Sequence, residues 1–333
     1  MIEKRNSDPG NNAINLPKNV FPVIATNDRL WDIPKLIRHF VIMQGYDLVL
    51  DIVPEAHSIY EIGLCDLLDQ FNFKSVTIYT WNELEKHDEY NIVLKTPKFF
   101  FAKNIWEGWA PITEDLYKWS GKYRFSAYYG RPTADRLGFA AHLYSNYENL
   151  TDMGLMFDPN SDNHLVNDFE LEKLFLYDNT CLGNVANLMP HLPYKPGLYN
   201  PPYWYYENPL IYRYKDTLID IVSEPNIAGN TFFFTEKLVR AMILKRPFVL
   251  MAGRDSLCYL RQMGFQTFHN FFDEDYDGYD SKERYLRIIK LIDDIANLTN
   301  DQLNDMYNSM QTVLEHNWKL LQEQSYSEVI TPL

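Results

Sequence analysis

Charged side chains follow a predicted strand at the point where that strand ends. Gly130 and Arg131 come directly after a strand-like segment, and Arg136 lies in the helical segment that follows. A glycine lets a ligand approach the backbone closely, and an arginine forms charge-assisted hydrogen bonds to phosphate oxygens. Gly130, Arg131 and Arg136 are therefore candidates for binding a phosphate group.

A second predicted strand ends at Glu224 and is followed by Asn230 and by Thr235, Glu236 and Lys237, which begin a helix. Free N–H groups and the helix dipole favour an anion at a helix start. Lys237 is unfavourable there unless an anion lies opposite it, whereas Glu236 suits the dipole and the hydroxyls of a ribose or a sugar. An adjacent Glu-Lys pair at a helix start is also commonly a solvated surface pair, and this alternative stays open.

A third loop, Pro54-Glu55-Ala56-His57, follows the strand predicted at Asp47–Val53. Glu55 is the candidate general base, because a carboxylate within hydrogen-bond reach can take the proton of an attacking hydroxyl. His57 is the nearby substitute, since an imidazole titrates near neutral pH. Glu55 can equally cap a helix or a loop, and His57 can equally be structural.

The elements that must position these loops follow the hydrophobic pattern. A strand at 47–53, a helix at 59–71 and a strand at 75–81 form a unit that indicates a parallel sheet. A second alternating series is predicted at residues 123–130, 134–146, 154–158, 166–177, 181–188, 217–224, 235–245, 247–253, 256–263 and 266–268. Two long helices over 281–324, separated near 298–300, end the chain.

These elements predict an α/β fold of two facing Rossmann-like domains with C-terminal helices. We expect an acceptor-side domain at residues 1–118 and a donor-side domain with closing helices at residues 119–333. In open parallel sheets ligands bind beyond the carboxyl ends of the strands, which is where these three loops and a fourth, at residues 252–255, lie.

Composition excludes several classes of protein. The chain has 333 residues, of which 46% are hydrophobic, and a net charge of −14, which disfavours a broad nucleic-acid surface but not a pocket for one diphosphate. Three separated cysteines without a CxxC motif favour a reducing compartment. Neither a signal peptide nor an apolar run of roughly 20 residues is present, so we expect a soluble, cytoplasmic protein.

Two kinds of ligand motif find no support in the sequence. The GxGxxG and GxxxxGK[ST] phosphate fingerprints are absent. The acidic run FFDEDYDGYD at 271–280 offers hard oxygen donors but matches no EF-hand spacing. We expect a solvated acidic loop there, and no metal site or other cofactor is predicted.

Residues 231–277 resemble the donor-binding region of fucosyltransferase-like enzymes, in which a TEK helix start follows a strand and a loop. The chain is more similar still to a set of viral and phage glycosyltransferase-like proteins. The ordered motifs that carry this likeness are GNTFF-TEK, RPF, GF-TF and DE-YD, together with GR, RL, LYSNY, a PE loop before IGLCDLLDQF, and VTIYTWNELEKH. They cover most of residues 47–280.

The resemblance implies a GT-B fold, a nucleotide-diphosphate sugar as co-substrate, inversion at the anomeric carbon and no metal. Arg131, Arg136 and Lys237 would hold the diphosphate, and Glu236 would contact the nucleotide or the sugar. We call these four residues, with Gly130, Glu224, Asn230 and Thr235, the donor site. Many relatives have a glycine in the loop at 54–57, which this chain lacks.

The sequence therefore predicts a glycosyltransferase, of the hexosyl or pentosyl type, whose partners are a nucleotide sugar and a glycan or another hydroxyl acceptor. If the protein is viral, its compartment is the host cytoplasm. One alternative is a glycosyltransferase acting on hydroxylated bases of viral DNA, a nucleic-acid partner that the acidity does not favour. The other is a non-catalytic binding or virion-structural module on a degenerate glycosyltransferase fold.

Overall fold

The structure is a computed structural model, and it describes residues 20–26, 29–53, 57–82, 84–94, 113–130, 133–157, 179–195, 209–225, 227, 231–232 and 235–323. It contains two mainly parallel sheets with helices, which confirms the predicted α/β class. No helix within these ranges is both long enough and apolar enough to cross a bilayer. The division into two facing domains stays a prediction.

The first sheet has five strands and is built from the N-terminal part of the chain. Its elements are β1 (Phe21–Thr26), β2 (Arg29–Leu30), α1 (Ile33–Met43), β3 (Asp47–Val53), α2 (Leu64–Leu68), β4 (Ser75–Thr80) and β5 (Asn91–Leu94). The strand order is β2-β1-β3-β4-β5, with β1, β3, β4 and β5 parallel and β2 antiparallel to β1. The parallel pairing predicted between β3 and β4 is confirmed.

The second sheet has four parallel strands in the order β7-β6-β8-β9. Its elements are β6 (Tyr123–Tyr129), α3 (Ala134–Tyr147), β7 (Thr151–Leu155), α4 (Asn179–Leu188), α5 (Pro209–Arg213), β8 (Thr217–Ser223), α6 (Glu236–Ile243), β9 (Phe248–Met251), α7 (Ser256–Gln262), α8 (Ser281–Ala296) and α9 (Asn300–Glu323). Because Ser126 pairs with Asp220, β6 and β8 end side by side at Tyr129 and Ser223.

Each sheet has a hydrophobic core of its own. In the first, Leu48, Leu50 and Ile52 of β3 are buried together with Phe40 of α1. In the second, every residue of β7, β8 and β9 is buried. Continuous burial is expected of parallel strands that are covered on both faces, and it makes this sheet a rigid support for the loops at its edge.

The predicted helix at 59–71 is much shorter in the structure. It begins at Leu64, after a turn that ends at Gly63 with φ 73°. This left-handed conformation is one that glycine adopts at little cost, and it stops the helical pattern from extending back to Ile59. The apolar spacing was correct, since Ile59 and Ile62 are buried, but a turn rather than a helix buries them.

Two strand predictions near the second sheet need correction. The strand placed at 154–158 lies at Thr151–Leu155, and the one placed at 266–268 is absent. Instead, the side chain of Asn317 binds the backbone of Gln266 twice: its Oδ1 accepts from Gln266 N at 2.8 Å, and its Nδ2 donates to Gln266 O at 2.8 Å. A side chain of α9 thus supplies the hydrogen bonds that a neighbouring strand would have supplied.

Candidate functional site

Arg136 is fixed to the end of β8. It lies in the first turn of α3, where its Nη2 donates to Ser223 O at 2.9 Å and its Nε donates to Ser223 Oγ at 3.3 Å. Ser223 Oγ in turn donates to Asp135, the residue before Arg136. All three side chains are buried, so the guanidinium is held by the protein's own oxygens at the carboxyl edge of the sheet.

The residue after Ser223 begins a second polar group. Glu224 is buried, and its carboxylate accepts hydrogen bonds from Thr235 N at 3.0 Å and from Thr235 Oγ1 at 2.6 Å. Thr235 is the N-cap of α6, where its Oγ1 accepts from Lys237 N at 3.3 Å and from Lys237 Nζ at 3.1 Å. Glu224 thereby places a buried carboxylate beside the start of α6.

Helix α6 is anchored below this group by a buried ion pair. Arg240 Nη2 lies 3.3 Å from Asp220 Oδ2 in β8, and Tyr214 OH donates to the same oxygen at 2.8 Å. Ser126 of β6 donates to the other oxygen at 3.0 Å. Four side chains thus hold the helix against two strands, which fixes the position of its first turn.

The end of β8 therefore brings together several predicted donor-site residues. Ser223 and Glu224 are consecutive, so Arg136 on one side and Thr235 with Lys237 on the other meet at one strand end. Gly130 follows β6 beside this point, and a Cβ placed on it would meet no atom of the described residues within 4 Å. As far as the described residues show, the space beside Gly130 is open, in contrast to the tightly packed residues around Arg136.

Four predicted site residues cannot be placed in this geometry. Glu55, Arg131 and Asn230 lie outside the described residues. Glu236 is the first residue of α6, as predicted, and its side chain lies outside the description. The roles predicted for these four residues stay predictions.

The carboxyl edge of the first sheet carries a buried acid that the sequence analysis did not single out. Glu85 follows β4, and its Oε2 accepts from Ile59 N at 2.8 Å and from Asn82 Nδ2 at 3.3 Å. Burial raises the pKa of Glu85 to about 7, against the lowering effect of these two hydrogen bonds. His57, the predicted substitute base, is buried two residues before Ile59.

Asn82 connects this edge to the segment that leads into α6. It is fully buried, and its Oδ1 accepts from Phe232 N at 3.1 Å and from Leu84 N at 3.2 Å. Because Asn82 also binds Glu85, one amide side chain joins the edge of the first sheet to residues three positions before Thr235. Polar edges of both sheets are therefore linked by direct hydrogen bonds.

Sequence reasoning missed Ser223, Asp135, Asn82 and Glu85. A signal existed for the last two, since both lie in the TWNELEKH run directly after a predicted strand. Glu85 is four residues beyond the predicted strand end, inside an ordinary polar segment, and its burial depends on packing that no local pattern reports. Ser223 stands beside the predicted Glu224 at a strand end, which is its signal, whereas Asp135 carries none beyond its neighbours.

The acidic run at 271–280 is not the solvated loop that the sequence suggested. Glu274 and Asp277 are buried, and burial raises the pKa of both carboxyl groups. Asp277 accepts from Leu257 N at 3.0 Å and from Cys258 N at 3.2 Å at the start of α7, while Glu274 accepts from Phe268 N at 2.7 Å. These carboxylates satisfy backbone N–H groups that would otherwise be orphaned. Among the described residues, no three His, Cys, Asp or Glu side chains are grouped so that they could hold a metal ion.

Comparison with known proteins adds little to this geometry. A crystal structure of an alpha1,3-fucosyltransferase aligns with 88% of this chain and with 82% of the fucosyltransferase chain, at a TM-score of 0.32 and 10% sequence identity. Likeness at this level carries no argument about fold or function. No protein-family model matches the chain, and no curated protein sequence matches it. The function must therefore be inferred from the chemistry of the chain's own residues.

Proposed function

We propose that the chain is a glycosyltransferase of the GT-B type, which moves a sugar from a nucleotide-diphosphate sugar to an acceptor hydroxyl with inversion and without a metal. One observation carries the proposal: Arg136 and Lys237, from two different helices, meet at the same strand end, through Ser223 and through Glu224 with Thr235. That strand end lies at the carboxyl edge of a parallel sheet, where such folds bind ligands.

The diphosphate occupies the open space beside Gly130 in this proposal. Lys237 is half-buried at the start of α6, where its ammonium group donates to Thr235 Oγ1, and in this proposal it turns to the diphosphate when the ligand binds. Arg131 adds a second cation, and Glu236 binds hydroxyls of the nucleotide or the sugar. As the bond to the sugar breaks, charge grows on the diphosphate, and groups already held in place stabilise it without rearrangement.

The base that accepts the acceptor's proton belongs to the edge of the first sheet. Glu55 and His57 were predicted there, and Glu85 adds a carboxyl group whose pKa is raised to about 7 by burial. A base is most effective when its pKa lies near the working pH, so Glu85 would suit a reaction near neutral pH. Asn82 ties Glu85 to the segment before Thr235, which supports a base placed across from the donor.

Ligand-dependent stability tests the proposal directly. The full chain is heated with a panel of UDP, GDP, CMP and dTDP sugars, and one of them at a hundred times its dissociation constant should add about 2.7 kcal/mol of stability. Lys237→Met should lose most of that stabilisation while unfolding near the parent's temperature. Lys290→Met, which removes an exposed lysine paired with Asp294 on α8, is the matched control and should keep it.

Three outcomes would contradict the proposal. If no nucleotide sugar stabilises the chain, a non-catalytic module is favoured instead. If Lys237→Met is stabilised as well as the parent, the diphosphate does not lie at the start of α6. If a labelled sugar is transferred to hydroxylated DNA bases and not to glycans, the acceptor class is DNA.

A further inference from the structure

Helix α1 presents a row of apolar side chains to the solvent. Ile33, Ile37 and Val41 recur every four residues, so they lie along one side of the helix, and they are 45%, 38% and 54% exposed. Leu36 and Phe40 form the neighbouring side, which is buried against the first sheet. The helix thus has apolar residues for a core and a second apolar row that is about half exposed.

Exposed apolar side chains are concentrated around this helix. Among the described residues eleven large apolar side chains are exposed, and seven of them lie between residues 24 and 46. The seven are Ile24, Trp31, Ile33, Ile37, Val41, Ile42 and Tyr46. Single exposed apolar residues need no explanation, whereas a contiguous row such as Ile33, Ile37 and Val41 marks an interaction surface.

The charge of α1 is opposite to that of the whole chain. The helix sequence IPKLIRHFVIM contains Lys35 and Arg38, both exposed, and no acid, in a chain whose net charge is −14. Of the described acids next to the helix in sequence, Asp32 accepts from Lys35 N and keeps its negative charge, and Asp47 forms an ion pair with Lys74 at 3.1 Å. The helix and its N-cap therefore carry two basic side chains and one acidic side chain.

We propose that α1 docks on an anionic membrane surface. Its docking face is Ile33, Ile37 and Val41, which enter the boundary between headgroups and acyl chains, with Lys35 and Arg38 contacting lipid phosphates. An amphipathic helix with basic residues beside an apolar face binds membranes in this way. Trp31, exposed just before the helix, suits the same boundary because its ring has an apolar body and a polar N–H.

A second copy of the chain fits this face less well than a membrane does. A two-fold interface through this row would bring Lys35 and Arg38 of both copies into one interface. Lysine is depleted at the centres of protein interfaces, and like charges there oppose association. An anionic membrane surface instead attracts both side chains. This attraction acts over the short distance at which salt does not screen it.

Vesicle flotation with the full chain tests the proposal. We expect the chain to float with vesicles of phosphatidylcholine and phosphatidylglycerol and to remain unbound with phosphatidylcholine alone. Lys35→Gln with Arg38→Gln should weaken binding about 25-fold, from roughly fivefold for each basic residue near an anionic surface. Ile37→Ser with Val41→Ser should weaken it about tenfold or more.

The controls separate docking from general stickiness and from misfolding. Leu94→Ser and Tyr212→Ser each remove an exposed apolar side chain outside the docking face and should leave binding unchanged. Serine has a helix propensity close to that of valine and isoleucine, so the double variant should keep the parent's circular dichroism.

The proposal is overturned if the parent binds neither kind of vesicle, or if it binds both kinds equally. It is also overturned if the serine double variant floats as well as the parent. Light scattering measures the oligomeric state of the parent and of the serine double variant. A parent dimer that dissociates in that variant would show that a second copy covers the face instead of a membrane.

Discussion

Replacing Glu85 by glutamine should change how the stability of the protein depends on pH. Glu85 Oε2 accepts both of the hydrogen bonds that the carboxyl group receives from the described residues, and an amide oxygen can accept them equally. The substitution therefore keeps the shape and the two hydrogen bonds, and removes the ability to ionise.

The magnitude follows from the pKa. Burial raises the pKa of Glu85 from its ordinary value of 4.5 to about 7. Since the folded protein holds this proton more tightly than the unfolded chain, the resulting stability is fully present below pH 4.5 and is lost as the pH rises to about 7. At roughly 1.4 kcal/mol for each pKa unit, the loss is about 3 kcal/mol in the parent and absent in the glutamine variant.

Urea denaturation at several pH values between 4.5 and 8 provides the assay. The quantity to compare is the stability of Glu85→Gln minus that of the parent, which should rise by about 3 kcal/mol over this range. Glu274 and Asp277 also have raised pKa values, but they are present in both proteins and cancel in the difference. Glu114→Gln, at an exposed position, should show no such rise.

A difference that stays constant from pH 4.5 to pH 8 would refute the reasoning, because Glu85 would then titrate alike in the folded and unfolded chain. A fall in the difference would mean that the two hydrogen bonds outweigh desolvation and that the folded pKa is lowered. Either result would also remove Glu85 as a base matched to neutral pH.

Two further substitutions test the packing that supports the site. Gly253→Ala should destabilise the protein by about 1–3 kcal/mol in urea, because the added Cβ would lie 2.1 Å from Thr231 O in the segment leading to α6. Arg246→Met should destabilise it by about 3 kcal/mol, since this buried guanidinium donates to backbone carbonyls of residues 116–118, which would be left unsatisfied.

Each of these has a control on the same chain. Gly183→Ala adds a Cβ within α4 where no atom lies within 4 Å, so stability should rise by about 0.5–1 kcal/mol. Arg287→Met breaks a half-exposed ion pair with Glu283 and should cost under about 1 kcal/mol. If Gly253→Ala changed the stability as Gly183→Ala does, the contact with Thr231 O would not determine the effect. The same holds for the contacts at residues 116–118 if Arg246→Met cost no more than Arg287→Met.

The sequence predicted the elements best where the pattern depends on the core alone. β3 lies where it was predicted, and the ends of β4, β6 and β8 differ from the prediction by a single residue each. A buried strand needs an unbroken apolar run, which is visible in the sequence. The predictions were wrong where side chains far away in sequence decide the backbone, as at Gln266, which binds Asn317 instead of a strand.

β1, α1 and β5 were missed, and the reasons for β5 and α1 differ. β5 has four residues and no buried position, so it lacks the pattern of a core strand. α1 carries an exposed apolar row in addition to its buried one, and its polar residues Lys35, Arg38 and His39 share one side. The amphipathic signal that identifies a surface helix was therefore present in the sequence and was overlooked.

The candidate site shows the same division between local and distant information. The sequence placed Arg136, Thr235 and Lys237 at strand ends, and the structure brings the three to the end of β8. It did not reveal that Glu224 would be buried beneath Thr235, because the burial of a carboxylate depends on donors that come from elsewhere in the chain.

Arg136 and Lys237 therefore differ as tests of function, although both were predicted to bind phosphate. Arg136 is buried and holds the end of β8 through two hydrogen bonds to Ser223, so its loss would damage the fold and the ligand site together. Lys237 is half-buried, and Thr235 still caps α6 through Lys237 N when the side chain is changed. A loss of ligand stabilisation in Lys237→Met with the fold intact thus reports on the anion itself, which a variant of Arg136 cannot do.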